Sequence, residues 1–404
     1  MSQFFTYSVA ILLGLAVGML HIEWLIALAQ IISDLFMHLL QLVSLPILFL
    51  SILHVASSVE EKREFTIIGM KVVKYTLITT VLAATVALCF FVIVDPAKRV
   101  SFVTQVGSAV HVESKSYLNH LINAIPSNVI QPFATNNVLG VLFLAFIFSA
   151  AILAIAQEKR RQLHLLISSL YAAFMKVTEY IIQALPIVLW AFICLFVQDV
   201  QRGLELKSIG LYLCCVVGAN LFQAFVVLPL FLKAKKIQPL PLAKAMSGAL
   251  ILAFFTKSSS ATVPTAVRLA ENNARINPKV ASLAFPLCTS INMNGCAAFI
   301  LTTVLFVSQT EGFVFNFMDY FLWVFIATIA AIGNAGVPMG CYFLSAAFLA
   351  AMNVPLHIMG VILPFYSLID AVETAINVWS DSCVAKAVDK DLEAPVQVIV
   401  EIAT

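Results

Sequence analysis

Charge is what this 404-residue sequence has least of. Asp, Glu, Lys and Arg make up 11% of it, where a soluble domain carries about 25%, and hydrophobic residues reach 61%, where about 45–50% is usual. A mean hydropathy of +1.00 leaves too little polar side chain to cover a water-facing surface. That excludes a chain of soluble domains and defines a polytopic membrane protein. Nor is there a charge excess of one sign: the formal balance is +2, so no basic face exists for nucleic acid. No CxxC pair occurs among the eight cysteines, and all lie in apolar stretches, which suggests neither a disulfide framework nor a zinc site. The seven histidines form no HExxH. No N-x-S/T sequon is present, which fits a bacterial inner membrane. The opening MSQFFTYSVAILLGLAVGML lacks a basic leader region and a small-residue cleavage site, and reads as a retained first span.

What is present is a series of long apolar runs. A helix crosses the hydrocarbon in about 20 residues, and only helices or closed barrels satisfy the backbone there. The runs are too long for strands of a barrel, so the fold class is all-α. Spans are predicted near 5–31, 33–57, 68–95, 132–157, 163–198 and 207–234, then 277–307 and 356–386. With the N-terminus inside, Lys62, Arg63, Lys159, Arg160, Arg161, Lys233, Lys235, Lys236, Lys244, Lys386 and Lys390 fall on the inner side. Lys98, Arg99, Lys115, Arg202 and Lys207 fall outside. The excess places both termini in the cytoplasm.

Two of the later apolar runs are interrupted, by TKSSSATVP (256–264) and by IGNAGVP (332–338). Each break frees backbone NH and C=O groups at membrane depth, which is tolerated only where they face protein or a cavity. Each therefore reads as a re-entrant helical hairpin around one polar cavity, against the plainer reading of two kinked full spans. Asp370, Glu373, Thr374, Asn377 and Asp381 form one stripe along the last helix. Carboxylates on a membrane helix are costly and point to function. Asp389 and Asp391, beside Lys386, read instead as a solvated face, and Glu60–Glu64 as a solvated loop. His38 and His54 read as packed core histidines.

These residues resemble the dicarboxylate/amino acid:cation symporters, the glutamate-transporter-like secondary carriers. TKSSSATVPTAVRLA resembles the tip of that family's first hairpin, INMNGCA (291–297) its NMDGT motif, and IGNAGVP its second hairpin. DAVETAINVWSD (370–381) resembles its substrate helix, with weaker matches at 42–53, 74–80 and 136–152. The resemblance implies eight transmembrane helices plus two re-entrant hairpins, a homotrimer in the bilayer, and an elevator. Scaffold spans 1–2 would occupy 1–67, span 3 of the transport domain 68–95, an external loop 96–131, and scaffold spans 4–5 residues 132–198. Span 6 would be 207–235, and 240–404 the core with both hairpins and spans 7 and 8. By the same resemblance, Ser258, Ser259, Ser260 and Asn377 would hold the α-carboxylate of an amino acid, and Asp370 its ammonium. Val337 and Thr374 would also bind the substrate, and Glu373 and Cys296 would line its side-chain pocket. Asp381 with Asn292 and Asn377 would make one sodium site, and Ser290 with Ile332 and Asn334 a second. A further sodium would fall to Thr79, Thr80, Asn292 and Asn294.

Three departures change the expected cargo. Glu373 stands where acidic-substrate members have an arginine that pairs with the substrate's carboxylate. Like charges about 4 Å apart cost on the order of 4 kcal/mol at an effective dielectric of 20, roughly a thousandfold in affinity. Cys296 replaces a threonine that reads the same group. Asn294 replaces the motif's aspartate, which favours two sodium ions, or a proton in place of one, over three. Glu373 then has three readings: it meets a cationic side chain such as lysine, arginine or ornithine; it pairs internally with Lys257, leaving a pocket for a neutral amino acid; or it is protonated and carries a proton. The first is preferred here.

Other classes fit worse. A hydrolase would need Lys257 and Ser258 as a dyad, or Asp370 and Asp381 as an aspartyl pair, but those aspartates would lie about 16 Å apart along the helix. No GxSxG occurs. A channel differs from a carrier in lacking saturable, cation-driven accumulation, and nothing in the sequence resembles an appended receptor domain.

Overall fold

The computed structural model of the protein describes residues 3–58, 63–97, 125–201, 206–334 and 339–403, and every regular element among them is helical. In chain order these are α1 (Gln3–Leu20), α2 (Glu23–Ser57), α3 (Arg63–Val94), the single turn α4 (Gln131–Ala134), α5 (Val138–Ala154), α6 (Gln157–Gln183) and α7 (Leu185–Gln201). Then come α8 (Leu206–Phe222), a π turn (Gln223–Val227) and α9 (Leu228–Ala234), which together make one rod. The last part holds α10 (Pro239–Thr256), α11 (Ser259–Asn272), α12 (Pro278–Ile291), α13 (Asn294–Thr310), α14 (Phe317–Gly333), α15 (Gly340–Ala351) and α16 (His357–Ala403). Among the described residues, seven stretches are long and apolar enough to span a bilayer, and several shorter apolar helices accompany them.

Four boundaries differ from the sequence reading. The first break falls at His21–Ile22 rather than near residue 32, because His21 adopts a left-handed φ of 51° and Glu23 opens α2 with an acidic first turn. Gln198 on α7 holds this corner by donating to the Gly18 carbonyl at 2.7 Å. The run 163–198 is two helices: Pro186 has no N–H and its ring cannot coexist with a continuing α-ladder, so the chain resets at Ala184. The run 277–307 breaks at Asn292 and Met293, whose ψ angles of 65° and 67° lie outside the helical region. The last helix continues past residue 386 to Ala403.

Asp389 is also not a solvated face. It is buried, caps α12 by accepting from the Asn277 N–H at 3.0 Å, and pairs with Lys386 at 2.9 Å. Asp391 is part-exposed and binds Lys235 at 2.9 Å. His54 is packed as expected, stacked between His164 and Tyr171.

Helices α10 and α11 pack against each other across the serine-rich break, which is the hairpin rather than the kinked span. Most of the loop expected over 96–131 (residues 98–124) and most of the second break (335–338) lie outside the described residues. The most protected element is α13: side chains from Asn294 through Ser308 are all buried, in an apolar cluster that runs from α2 through α13 to α15 and α16. A second cluster joins α3, α9, α10, α11, α12 and the middle of α16. Polar residues inside such packing are expensive unless partnered, so their partners locate the site.

Candidate substrate and cation site

The first hairpin turns at Lys257, which caps α10 in a left-handed conformation (φ 54°). That turn starts α11 with Ser258 extended, its Oγ accepting from the Ala261 N–H at 3.2 Å as an N-cap. Ser259 is buried and Ser260 exposed. The Lys257 ammonium donates to Ser367 on α16, one turn before Asp370. Asp370 is half-buried, whereas Glu373, Thr374, Asn377 and Asp381 are buried.

The break in the NMNG segment lets two side chains face α16. Asn292 donates to Asp381 Oδ1 at 2.8 Å and to Ser380 at 3.0 Å, and its own oxygen accepts from Thr79 at 3.1 Å. Asn294 donates to Asn292 at 2.9 Å and to Ser380 at 2.7 Å. Gly295 donates its N–H to Asn377 Oδ1 at 2.8 Å. A Cβ at Gly295 would lie 2.8 Å from the Glu373 Cα, so only glycine lets α13 start this close to α16. Of the residues expected to bind sodium, Thr79, Asn292, Asn294 and Asp381 share one hydrogen-bond network, while Asn377 bonds Gly295 and the Cys296 sulfur instead; oxygens such as those of Asp381 and Asn292 are the hard donors a sodium ion takes.

The sequence reading missed Gln223. The π turn places this amide deep in the core, where Nε2 donates to Asn294 Oδ1 at 2.9 Å and to the Thr79 carbonyl at 3.1 Å. Two of the oxygens available for a further sodium are thus already joined by an uncharged NH₂ group. The available signal was a Gln three residues after Asn220 inside an apolar span. Thr80 is fully buried nearby with its hydroxyl unpartnered.

Glu373 sits differently. It is 1% exposed, and neither carboxylate oxygen has a hydrogen-bond partner. The internal pair with Lys257 is therefore not formed; the hairpin's left-handed turn carries that ammonium to Ser367 instead. One Glu373 oxygen and the sulfurs of Cys296 and Cys341 lie within 4.8 Å of one another. Asn334, expected to contribute backbone to a sodium site, turns its side chain toward both sulfurs, at 3.1 and 3.3 Å. Cys341 was missed because a cysteine in an apolar run reads as a small hydrophobe. Ser290 bonds only the Pro286 carbonyl at 3.4 Å, Ile332 is half-buried in the second apolar cluster, and Val337 lies outside the described residues.

A helical membrane bundle with broken helices meeting at buried carboxylates and serines is the architecture of a secondary carrier. The sequence profile of the sodium:dicarboxylate symporter family matches residues 4–391, and the chain belongs to that family. It is a multi-pass, sodium-coupled symporter of the glutamate-transporter fold and not an enzyme. Mouse excitatory amino acid transporter 3 is 25% identical over 418 residues, covering 89% of this chain and 79% of its own. Bovine neutral amino acid transporter B(0) is 26% identical over 386 residues, covering 87% and 71%. The Caenorhabditis elegans relative glt-4 is 28% identical over 266 residues, 65% of this chain and 52% of its own length.

Proposed function

We propose that the protein imports an amino acid with a cationic side chain, lysine, arginine or ornithine, and that Glu373 reads that side chain. The observation carrying this reading is the buried, unpartnered Glu373 carboxylate. A buried charge without a partner is strongly unfavourable, and a cationic ligand arriving with its own donors removes the penalty. The same carboxylate repels the acidic amino acids named for the excitatory relatives. Ser258, Ser259, Ser260 and Asn377 hold the substrate carboxylate and Asp370 the ammonium, with Val337 and Thr374 as further substrate contacts. Lys257, anchored on Ser367, sets the edge of that site.

Two sodium ions accompany the substrate, one at Asp381 and Asn292 and one at Ser290, Ile332 and Asn334, because Gln223 occupies the oxygens of a third. The transport domain comprises 68–95, 207–235 and 240–404, and slides past a scaffold of 1–67 and 132–198 in each protomer of a homotrimer. Both termini face the cytoplasm of a bacterial inner membrane. Joint burial of α3, α9, α10, α11, α12 and α16 groups those transport-domain elements, and the larger cluster is where scaffold helices α2, α5, α6 and α7 meet α3, α8, α13, α15 and the start of α16.

A second reading rests on the same pocket. A protonated Glu373 between two thiols makes a neutral site, which would suit a neutral amino acid like those named for the B(0) relative. Uptake of labelled lysine into proteoliposomes, with and without an inward sodium gradient, separates the two. Sodium-driven lysine uptake blocked by arginine and spared by aspartate is the expected result. Uptake of serine and alanine without lysine would transfer the assignment to the neutral reading.

A further inference from the structure

Glu373 shares its pocket with two thiols contributed by separate elements. Cys296 sits in the first turn of α13 and Cys341 in the first turn of α15, with Glu373 between them on α16. In sequence they are too far apart to form a metal motif, yet their ligand atoms fall within 4.8 Å of one another and all three residues are buried. Both Glu373 oxygens are unpartnered, and the Asn334 amide touches both sulfurs. Zinc-class ions bind sulfur at about 2.3 Å and carboxylate oxygen at about 2.0–2.2 Å in a tetrahedron, which sets donors roughly 3.5–3.8 Å apart. The three donors need to contract by no more than about 1.3 Å to meet that geometry.

We propose that Cys296, Cys341 and Glu373 form a binding site for a soft divalent cation of the zinc and cadmium class, and that the ion blocks transport. Two thiolates and a carboxylate select this class over sodium, which takes hard oxygens. The Asn334 amide oxygen, after a flip of that side chain, or a water supplies the fourth ligand. Each ligating thiol gives its proton to solvent, so binding releases protons and weakens as the pH falls. An ion here ties the arm that begins at Cys341 to α13 and α16, and takes the carboxylate that the substrate needs. The inference rests on Glu373 being free for a ligand, as the proposed function does, but not on which amino acid is carried.

The test is a cadmium titration of the purified full chain in lipid nanodiscs, followed by thiolate-to-metal charge-transfer absorbance, with zinc as competitor. One cadmium per chain with two thiolate bonds is expected. Cys296→Thr and Cys341→Ala, each checked for a monodisperse profile, remove that absorbance. Glu373→Gln weakens binding by more than about tenfold, a loss that even a residue behind a ligand produces. Cys89→Ser with Cys214→Ser, which removes the two exposed thiols, leaves it intact. The inference is overturned by absorbance that survives loss of Cys296 and Cys341, by absorbance that disappears with Cys89 and Cys214, or by no absorbance at all. Zinc is also expected to inhibit uptake of whichever amino acid the wild type carries, and much less in Cys341→Ala. Because the titration needs no substrate, absent lysine uptake beside intact cadmium binding sinks the substrate assignment alone.

Discussion

Glu373 and Asp381 lie eight residues apart on one helix, about 12 Å along its axis, and each is 1% exposed. Their surroundings are opposite. Asp381 receives an amide from Asn292 and stands at the end of a network that runs through Asn294, Ser380, Thr79 and Gln223. Glu373 receives no amide or hydroxyl, and its polar neighbours are two sulfurs. Burial is the same, so burial does not distinguish their roles; partners do. A carboxylate fixed by an amide presents an organised oxygen to a small hard cation. In the proposed reading, the one left bare is held for a ligand that brings its own donors.

The largest effect should come from reversing the charge at the bare member. Glu373→Arg is expected to lower lysine uptake by about a thousandfold, the scale of two like charges at close range. Labelled-lysine uptake reads it directly, and retention of lysine transport would remove Glu373 from the pocket. Next is Asp381→Asn, which keeps the shape and deletes a charged ligand. The sodium concentration for half-maximal uptake should rise by about 10–100-fold, matching the roughly 1.5–3 kcal/mol of a charge-assisted contact. An unchanged sodium dependence would erase the contrast.

Gln223→Leu strips a donor from the network and leaves the Asn294 oxygen bare. A loss of about 1–3 kcal/mol in stability is expected, visible as a lower thermal midpoint in detergent. The smallest effect should be Glu373→Gln, which discharges a site that has no partners to lose. Its midpoint should hold steady or rise by a few degrees, whereas Asp381→Asn should lower it. Parallel falls in both variants would mean that the two carboxylates are held alike after all.

Much of this was legible in the sequence. The stripe from Asp370 to Asp381 follows from helical periodicity, and the serine-rich break marks its hairpin because irregular backbone at membrane depth must face protein. The breaks at His21 and at Asn292 were not legible. A left-handed histidine carries no residue-type signal of the kind glycine gives, and Asn292 lies inside a run apolar enough to pass for a continuous span. Gln223 and Cys341 escaped for a different reason: each acts through neighbours far away in the chain, and spacing along one helix does not reveal them. Asp389 was misread because a carboxylate beside lysines near a helix end looks solvated, when here it caps the first turn of α12.

The π turn at Gln223–Val227 has a consequence for how this helix tolerates change in length. A π turn is an α-helix carrying one extra residue, so the sequence pattern after it is shifted by one position, or about 100°, against the pattern before it, while the two halves face as they would without that residue. Phe222 and earlier positions belong to one angular frame, Leu228 and later ones to another. The widened turn also presents the Ala224 carbonyl to the indole N–H of Trp379 at 3.1 Å. Deleting one residue here would heal the ladder into an ordinary helix and leave the two halves facing as before, because the widened turn already absorbs that residue. Leu228 and Leu232 would stay in their cluster and Tyr212 and Val216 in theirs, whereas the same deletion in the α-helical part of the rod would rotate one half against the other by about 100°. Within the π turn a single-residue deletion therefore costs local contacts such as the Ala224 carbonyl to Trp379 and not the packing of the two halves.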